Sequence, residues 1–233
     1  MGREEELALG NLGQVSLEEM SERIAALPSV THGRSQEMLE ALDIQGLTGS
    51  SMGIKFIDLK AYAALNVFGT TRPEVDEGKS GGVFVNVYKT MKADPDHIYI
   101  AISRDIEDST LIHELAHVLD YLGGSRIMPG SLTPLAYELG IPAEHLEHPH
   151  EFGKWLDYLQ ERFDVLLDAD DAIISFLYQN NLLIKGREIQ EKNSFLLKSK
   201  SDKILKFLGE NSEKIDGLIR NRPGYIGPRT VED

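Results

Sequence analysis

Two runs of β-branched and aromatic residues stand out along the chain. Val83-Phe84-Val85-Asn86-Val87-Tyr88 and His97-Ile98-Tyr99-Ile100-Ala101-Ile102 read as strands, with the turn chemistry of Ala93-Asp94-Pro95-Asp96 between them. A shorter apolar stretch at 54–57 reads as another strand, and 58–68 is ambiguous with a helical leaning. Nearer the amino terminus, Ser16-Leu17-Glu18-Glu19 matches a capping box and opens a helix that runs to Leu27, before Pro28. A second short helix is expected over 35–42. The Gly- and Ser-rich stretch 47–53 and the Pro-, Gly- and charge-bearing stretch 72–82 read as loops. From about Asp108 onward the pattern turns helical, over 109–122, 150–166, 169–184 and 187–208. Strands first and helices afterwards is an α+β arrangement. The expected organisation is a helical amino-terminal segment (1–50), a central domain with a small sheet followed by helices (51–185), and a helical carboxy-terminal extension with a tail (186–233).

Composition narrows the class. The 233 residues are 41% hydrophobic and 27% charged, which is ordinary for a globular chain with a real core. No apolar run approaches the length of a membrane span, and Met1 to Glu6 has no basic or apolar stretch of the kind that opens a secretory signal. No membrane partner and a cytoplasmic location are therefore expected. The formal net charge of -14 disfavours nucleic acid as a partner. Residues 185–222 hold ten Lys/Arg against six Asp/Glu, a local +4 that leaves -18 elsewhere, and this reads as a solvated helical face. The absence of cysteine excludes disulfides and thiolate metal sites.

Histidine carries the chemistry. Five of the seven histidines fall between residues 113 and 150. Two belong to His113-Glu114-Leu115-Ala116-His117-Val118-Leu119-Asp120. Positions i and i+4 of a helix share a face, so His113 and His117 can grip one Zn2+ from one side. Glu114 is rotated off that pair, close enough to reach a water on the metal, which is the logic of His-Glu-x-x-His in zinc hydrolases. Asp108 or Ser109 can cap this helix and Gly123-Gly124 can stop it. A metzincin needs Gly three residues after His117 and His six after it; Asp120 and Gly123 stand there instead.

Without cysteine, the third ligand is a carboxylate or another histidine, and Glu138, Glu144, His145, Glu147, His148, His150 and Glu151 are the candidates. Glu151 is favoured because it falls in the first turn of a long helix opened by Pro149, beside the core residues Phe152, Trp155, Leu156 and Leu159. Glu138 is second. The segment His113–Asp120 resembles the His-Glu-(Phe/Leu/Ile)-x-His-x-x-Asp helix of the anthrax lethal factor and Mlc titration factor group of gluzincins. In that group a second helix carries the third zinc ligand in a Pro-x-Glu-Phe sequence, and Pro149-His150-Glu151-Phe152 is similar, which implies Glu151 as the ligand. The resemblance covers about 60 residues, from the strand at His97 to Leu159.

These residues point to a zinc metallopeptidase. Zinc acidifies its bound water, Glu114 takes the proton as general base, and a further donor meets the oxyanion. Tyr137, His145, His148 and His150 are the candidate donors, Tyr137 foremost. Asp120 is the candidate to orient His117. The substrate is a peptide or protein, expected to add as a strand along an edge formed by His97, Ile98, Tyr99, Ile100, Ala101 and Ile102. The competing reading is a regulatory or interaction protein that retains the metal site with little turnover.

Overall fold

The computed structural model describes residues 17–65, 86–89 and 93–225. In chain order it contains α1 (Leu17–Ala25), α2 (Gly33–Glu40), α3 (Ile44–Thr48), β1 (Gly53–Asp58), α4 (Leu59–Ala64), β2 (Asn86–Lys89), β3 (His97–Ile102), α5 (Asp108–Asp120) and a π-helical turn (Tyr121–Ser125). These are followed by α6 (Thr133–Leu139), α7 (Glu144–Glu147), α8 (His150–Phe163), α9 (Ala169–Gln179), α10 (Gly186–Gln190), α11 (Ser194–Glu210) and α12 (Ser212–Ile219). The class is α+β. The Ser16 cap, the first half of the Val83–Tyr88 run and the 72–82 loop lie outside the described residues.

The chain forms two compact units, each with its own core. The first takes the residues up to His32 and from Met52 to Ile106. In it β1 lies parallel to β3, with Gly53 opposite His97 and Asp58 opposite Ile102, while β2 is antiparallel to β3, with Asn86 opposite Ala101. The strand order is β1-β3-β2. This overturns the expectation that His97–Ile102 is an edge. β3 is central, its backbone hydrogen-bonded on both sides over Ile98 to Ala101, so it has no free ladder to offer a peptide. Met20 and Ile24 of α1 pack with Ile57, Leu59, Tyr62, Tyr99 and Ala101.

A polar pin fastens β1 to β3. Asp94, in the turn before β3, accepts hydrogen bonds from Lys55 Nζ (2.6 Å), Tyr99 Oη (2.5 Å) and His97 Nδ1 (2.8 Å). Gly53 leaves room for the His97 ring, since a Cβ there would stand 2.8 Å from His97 Cδ2.

The second unit is helical: Gly33–Ser51 together with the chain from Glu107 onward. These boundaries cut across divisions at 50 and 185. The reason is burial. Leu197 and Ile204 of α11 are fully buried in one cluster with Leu146, Leu183, Ile184 and Ile189, so the carboxy-terminal helices are core rather than extension. At the centre lies α5, where Leu111, Ile112, Leu115, Ala116, Val118 and Leu119 are at most 1% exposed. Its N-cap is Glu107, which makes no side-chain cap bond, and Asp108 instead accepts from Arg34 Nε at 2.9 Å. Its far end widens into the π turn and is stopped by Gly124 (φ 136°) and Arg126 (φ 59°).

Helix α8 lies along α5 and buries Phe152, Trp155, Leu156 and Leu159, the i, i+3, i+4, i+7 stripe of an amphipathic helix. Close approach sets its seat. A Cβ on Gly153 would come within 2.7 Å of Leu183 Cδ1 and Tyr178 Cβ, so only glycine lets this helix reach its neighbours. Among the described residues no helix is long and apolar enough to cross a membrane.

Candidate metal centre

Helix α5 brings His113 and His117 onto one face, as their spacing requires, and their Nε2 atoms stand 3.1 Å apart. The third group beside them is His148, at the end of α7, just before Pro149 opens α8. One nitrogen from each of His113, His117 and His148 lies within 4.8 Å of the others. The rings also converge on one side chain. Phe152, fully buried in the first turn of α8, has its ring centroid 5.1 Å from that of His113, 4.4 Å from His117 and 4.7 Å from His148. Phe152 thus gives the three imidazoles a shared apolar contact.

Behind His113 stands Asp171, from the first turn of α9. His113 Nδ1–H donates to Asp171 Oδ1 at 2.7 Å, which fixes the tautomer and leaves Nε2 facing the other histidines. Asp171 is 1% exposed, and its Oδ2 is buried with no partner. Sequence reading did not find this residue. Its signal was an acid on the inward stripe of α9, in line with buried Ala172, Ser175 and Phe176, where a carboxylate needs a partner. Asp168, the N-cap, spends its own carboxylate on the Asp171 N–H (2.9 Å).

Electrostatics separate the three histidines. Burial pushes His117 well below its usual range, and the charge of His113 adds to that. Burial and the same neighbour lower His148 to about 3, against an opposing hydrogen bond to the Glu144 backbone. Burial would lower His113 too, but the charge and hydrogen bond of Asp171 outweigh it and raise it to about 9. Glu114, 8% exposed, is raised to about 7 by burial; the charge of His113 opposes this and that of Asp171 adds to it.

The donor set fits a divalent transition metal. Burial favours the neutral, metal-binding form of His117 and His148, and Asp171 supplies the anion behind His113. The two Nε2 atoms of α5 stand 3.1 Å apart and all three nitrogens lie within 4.8 Å of one another, a grouping that could hold a metal ion. His148 Nδ1 is completely buried without a hydrogen-bond partner, the kind of orphan that calls for an occupant. Three nitrogen donors leave a fourth position open.

The other sequence candidates lie elsewhere. Glu151, favoured as third ligand, is not in the group. Its Oε2 accepts from the Gly186 N–H at 2.8 Å, at the start of α10. In the first turn of α8 it is Phe152 that faces the histidines, while Glu151 beside it turns to Gly186; His148, just before Pro149, completes the group. Glu138 is exposed on α6, and Tyr137 is 90% exposed, so neither joins the buried cluster. His145 faces Ser201, with Nδ1 to Oγ at 2.8 Å, and His150 packs against Tyr178. Asp120 does not orient a histidine through any hydrogen bond seen here. Its Oδ2 accepts from Ser125 Oγ at 2.7 Å and its Oδ1 is buried without a partner. Burial raises Asp120 to about 7, opposed by the Ser125 bond and reinforced by the charge of Glu151.

Comparison of the chain with protein-family models, with curated proteins and with solved structures gives no match.

Proposed function

We propose that this chain is a zinc-dependent metallohydrolase of gluzincin-like type that cleaves peptide bonds, with His113, His117 and His148 as the metal ligands and Glu114 as the general base. One observation carries the reading: three imidazoles from α5 and the α7–α8 junction meet at the His-Glu-x-x-His helix, with a buried carboxylate fixing one of them. A zinc ion held there supplies a Lewis acid that acidifies water and polarises a carbonyl. The chain's own groups do the rest. Asp171 accepts the His113 Nδ1–H and so aims Nε2 at the other two histidines. Phe152 gives the rings a shared apolar contact. The Glu114 carboxylate accepts the proton of the attacking water and returns it to the leaving amine, a role suited to a group whose buried position brings it near neutrality. An all-histidine set departs from the carboxylate ligand of the group that His113–Asp120 resembles. Retention of Glu114 supports catalysis over a purely structural metal, because a structural site has no use for it.

Elemental analysis of the zinc-reconstituted chain should give about one zinc per chain, lost when His113→Ala and His117→Ala are combined and strongly weakened by His148→Ala. Glu114→Gln should keep the zinc and lose roughly 10²–10⁴ in turnover of peptide substrates. A wild-type chain that holds no transition metal after reconstitution sinks the proposal, and wild-type turnover by Glu114→Gln removes Glu114 from the mechanism.

A further inference from the structure

We infer that Glu151 is a positioning residue for the third histidine rather than a metal ligand: its carboxylate ties the start of α8, and with it the His148 loop, to the segment 183–190. This rests on the ligand set proposed above.

Three observations carry it. First, the segment is bonded to the α8 start at two points. The His150 N–H donates to the Ile184 carbonyl at 2.8 Å, and the Gly186 N–H donates to Glu151 Oε2 at 2.8 Å. Both bonds fall two and three residues after His148, at the point where its turn enters α8. Second, Gly186 sits in a seat that admits no side chain. A Cβ there would lie 2.8 Å from Ser125 Cβ and 3.3 Å from Glu151 Oε2. The close approach of Glu151 to this backbone is therefore built in, and the π turn after α5 shares the seat. Third, the same seat is bonded back to α5. Gln190 Nε2 donates to the Ser125 carbonyl, and Ser125 Oγ donates to Asp120 Oδ2. The chain of contacts runs from the α5 end, through Ser125 and α10, to Glu151 and the His148 turn. It sets the distance between the helix that bears two ligands and the loop that bears the third.

The charge of Glu151 is not what this role uses. As a ligand Glu151 would bring an anionic oxygen to the metal, whereas the Gly186 N–H needs only an oxygen acceptor. The negative charge is in fact unfavourable to the nearby buried Asp120, which it pushes toward protonation. The isosteric amide therefore separates the two roles.

Zinc and cobalt(II) titrations of the full chain provide the test, with chelator competition for affinity and cobalt(II) absorption for the donor set. Glu151→Gln should bind zinc within about threefold of wild type, with an unchanged cobalt spectrum and a Tm no lower. Glu151→Ala should weaken zinc by about 10–100-fold, the range for lost ligand support, with a perturbed cobalt spectrum. Gly186→Ala is the second route, because it leaves Glu151 in the sequence but crowds the seat that Ser125 and the Glu151 carboxylate share. It should weaken zinc and perturb the spectrum in the same way, so the inference stays testable if Glu151→Ala fails to fold. Loss of zinc by Glu151→Gln to the same extent as by His148→Ala makes Glu151 a ligand and overturns the inference. So does unchanged affinity in Glu151→Ala and Gly186→Ala. A wild-type chain that binds neither metal instead removes the ligand set on which the inference rests.

Discussion

Asp171 is 58 positions from His113 along the chain and 2.7 Å from it in space. Its free oxygen, Oδ2, is buried with no donor, so all the compensation for burying this carboxylate comes from His113 and whatever His113 binds. Asp171→Asn keeps an acceptor for the Nδ1–H and removes the charge. Zinc affinity measured by competition with a chromophoric chelator should fall by roughly 10–100-fold; equal affinity would deny Asp171 any part in the centre. At this scale the sequence is legible only where the local geometry is regular. His113, Glu114 and His117 can be placed because a helix fixes i and i+4 on one face. The choice between His148 and Glu151 depends on the turn at Pro149 and on what Gly186 donates 35 residues later, and neither has a period to read.

At the scale of elements, strand β3 is read from its residues over the bounds it adopts, and the helix at α5 within two residues, because burial on both sides makes their apolar runs continuous. The order of the strands is not legible in the same way, since pairing is set by long-range contacts. What holds β1 against β3 at one end is the Asp94 pin. Burial alone would raise the Asp94 carboxyl, but the hydrogen bonds from Lys55, Tyr99 and His97 hold it well below the usual range. A carboxyl lowered in the folded state contributes stability that is complete above its unfolded value, about pH 4, and is lost as pH falls through the folded value. Asp94→Ala should therefore cost stability at neutral pH and flatten its decline below about pH 4. Lys55 and His97 are about one-third exposed, so the expected cost at pH 7 is modest, about 1–2 kcal/mol. Urea unfolding of wild type and variant from acid to neutral pH measures both quantities, and parallel pH profiles would exclude the pin.

For the whole molecule, the helical segment after residue 185 is part of the unit that contains the histidines. Ile189, Leu197 and Ile204 are at most 1% exposed, and burying three such side chains contributes roughly 5–9 kcal/mol, comparable to the full stability of an ordinary domain. A chain ending at residue 185 should lose cooperative thermal unfolding and zinc binding together; a truncated protein that melts sharply and binds zinc would make the segment dispensable. The placement of His148 has one more consequence. His117 and His148 are separated by 31 positions (148 − 117), and an ion held by both closes the intervening loop as a cross-link does. In chain-entropy terms, a loop of that length is worth up to about 3–4 kcal/mol. On the proposed ligand set the metal would be a removable staple. With Ala136, Leu139 and Leu146 still anchoring α6 and α7 in the core, chelation on that proposal should raise local opening and proteolysis in the loops between His117 and His148, beyond the coordination shell itself.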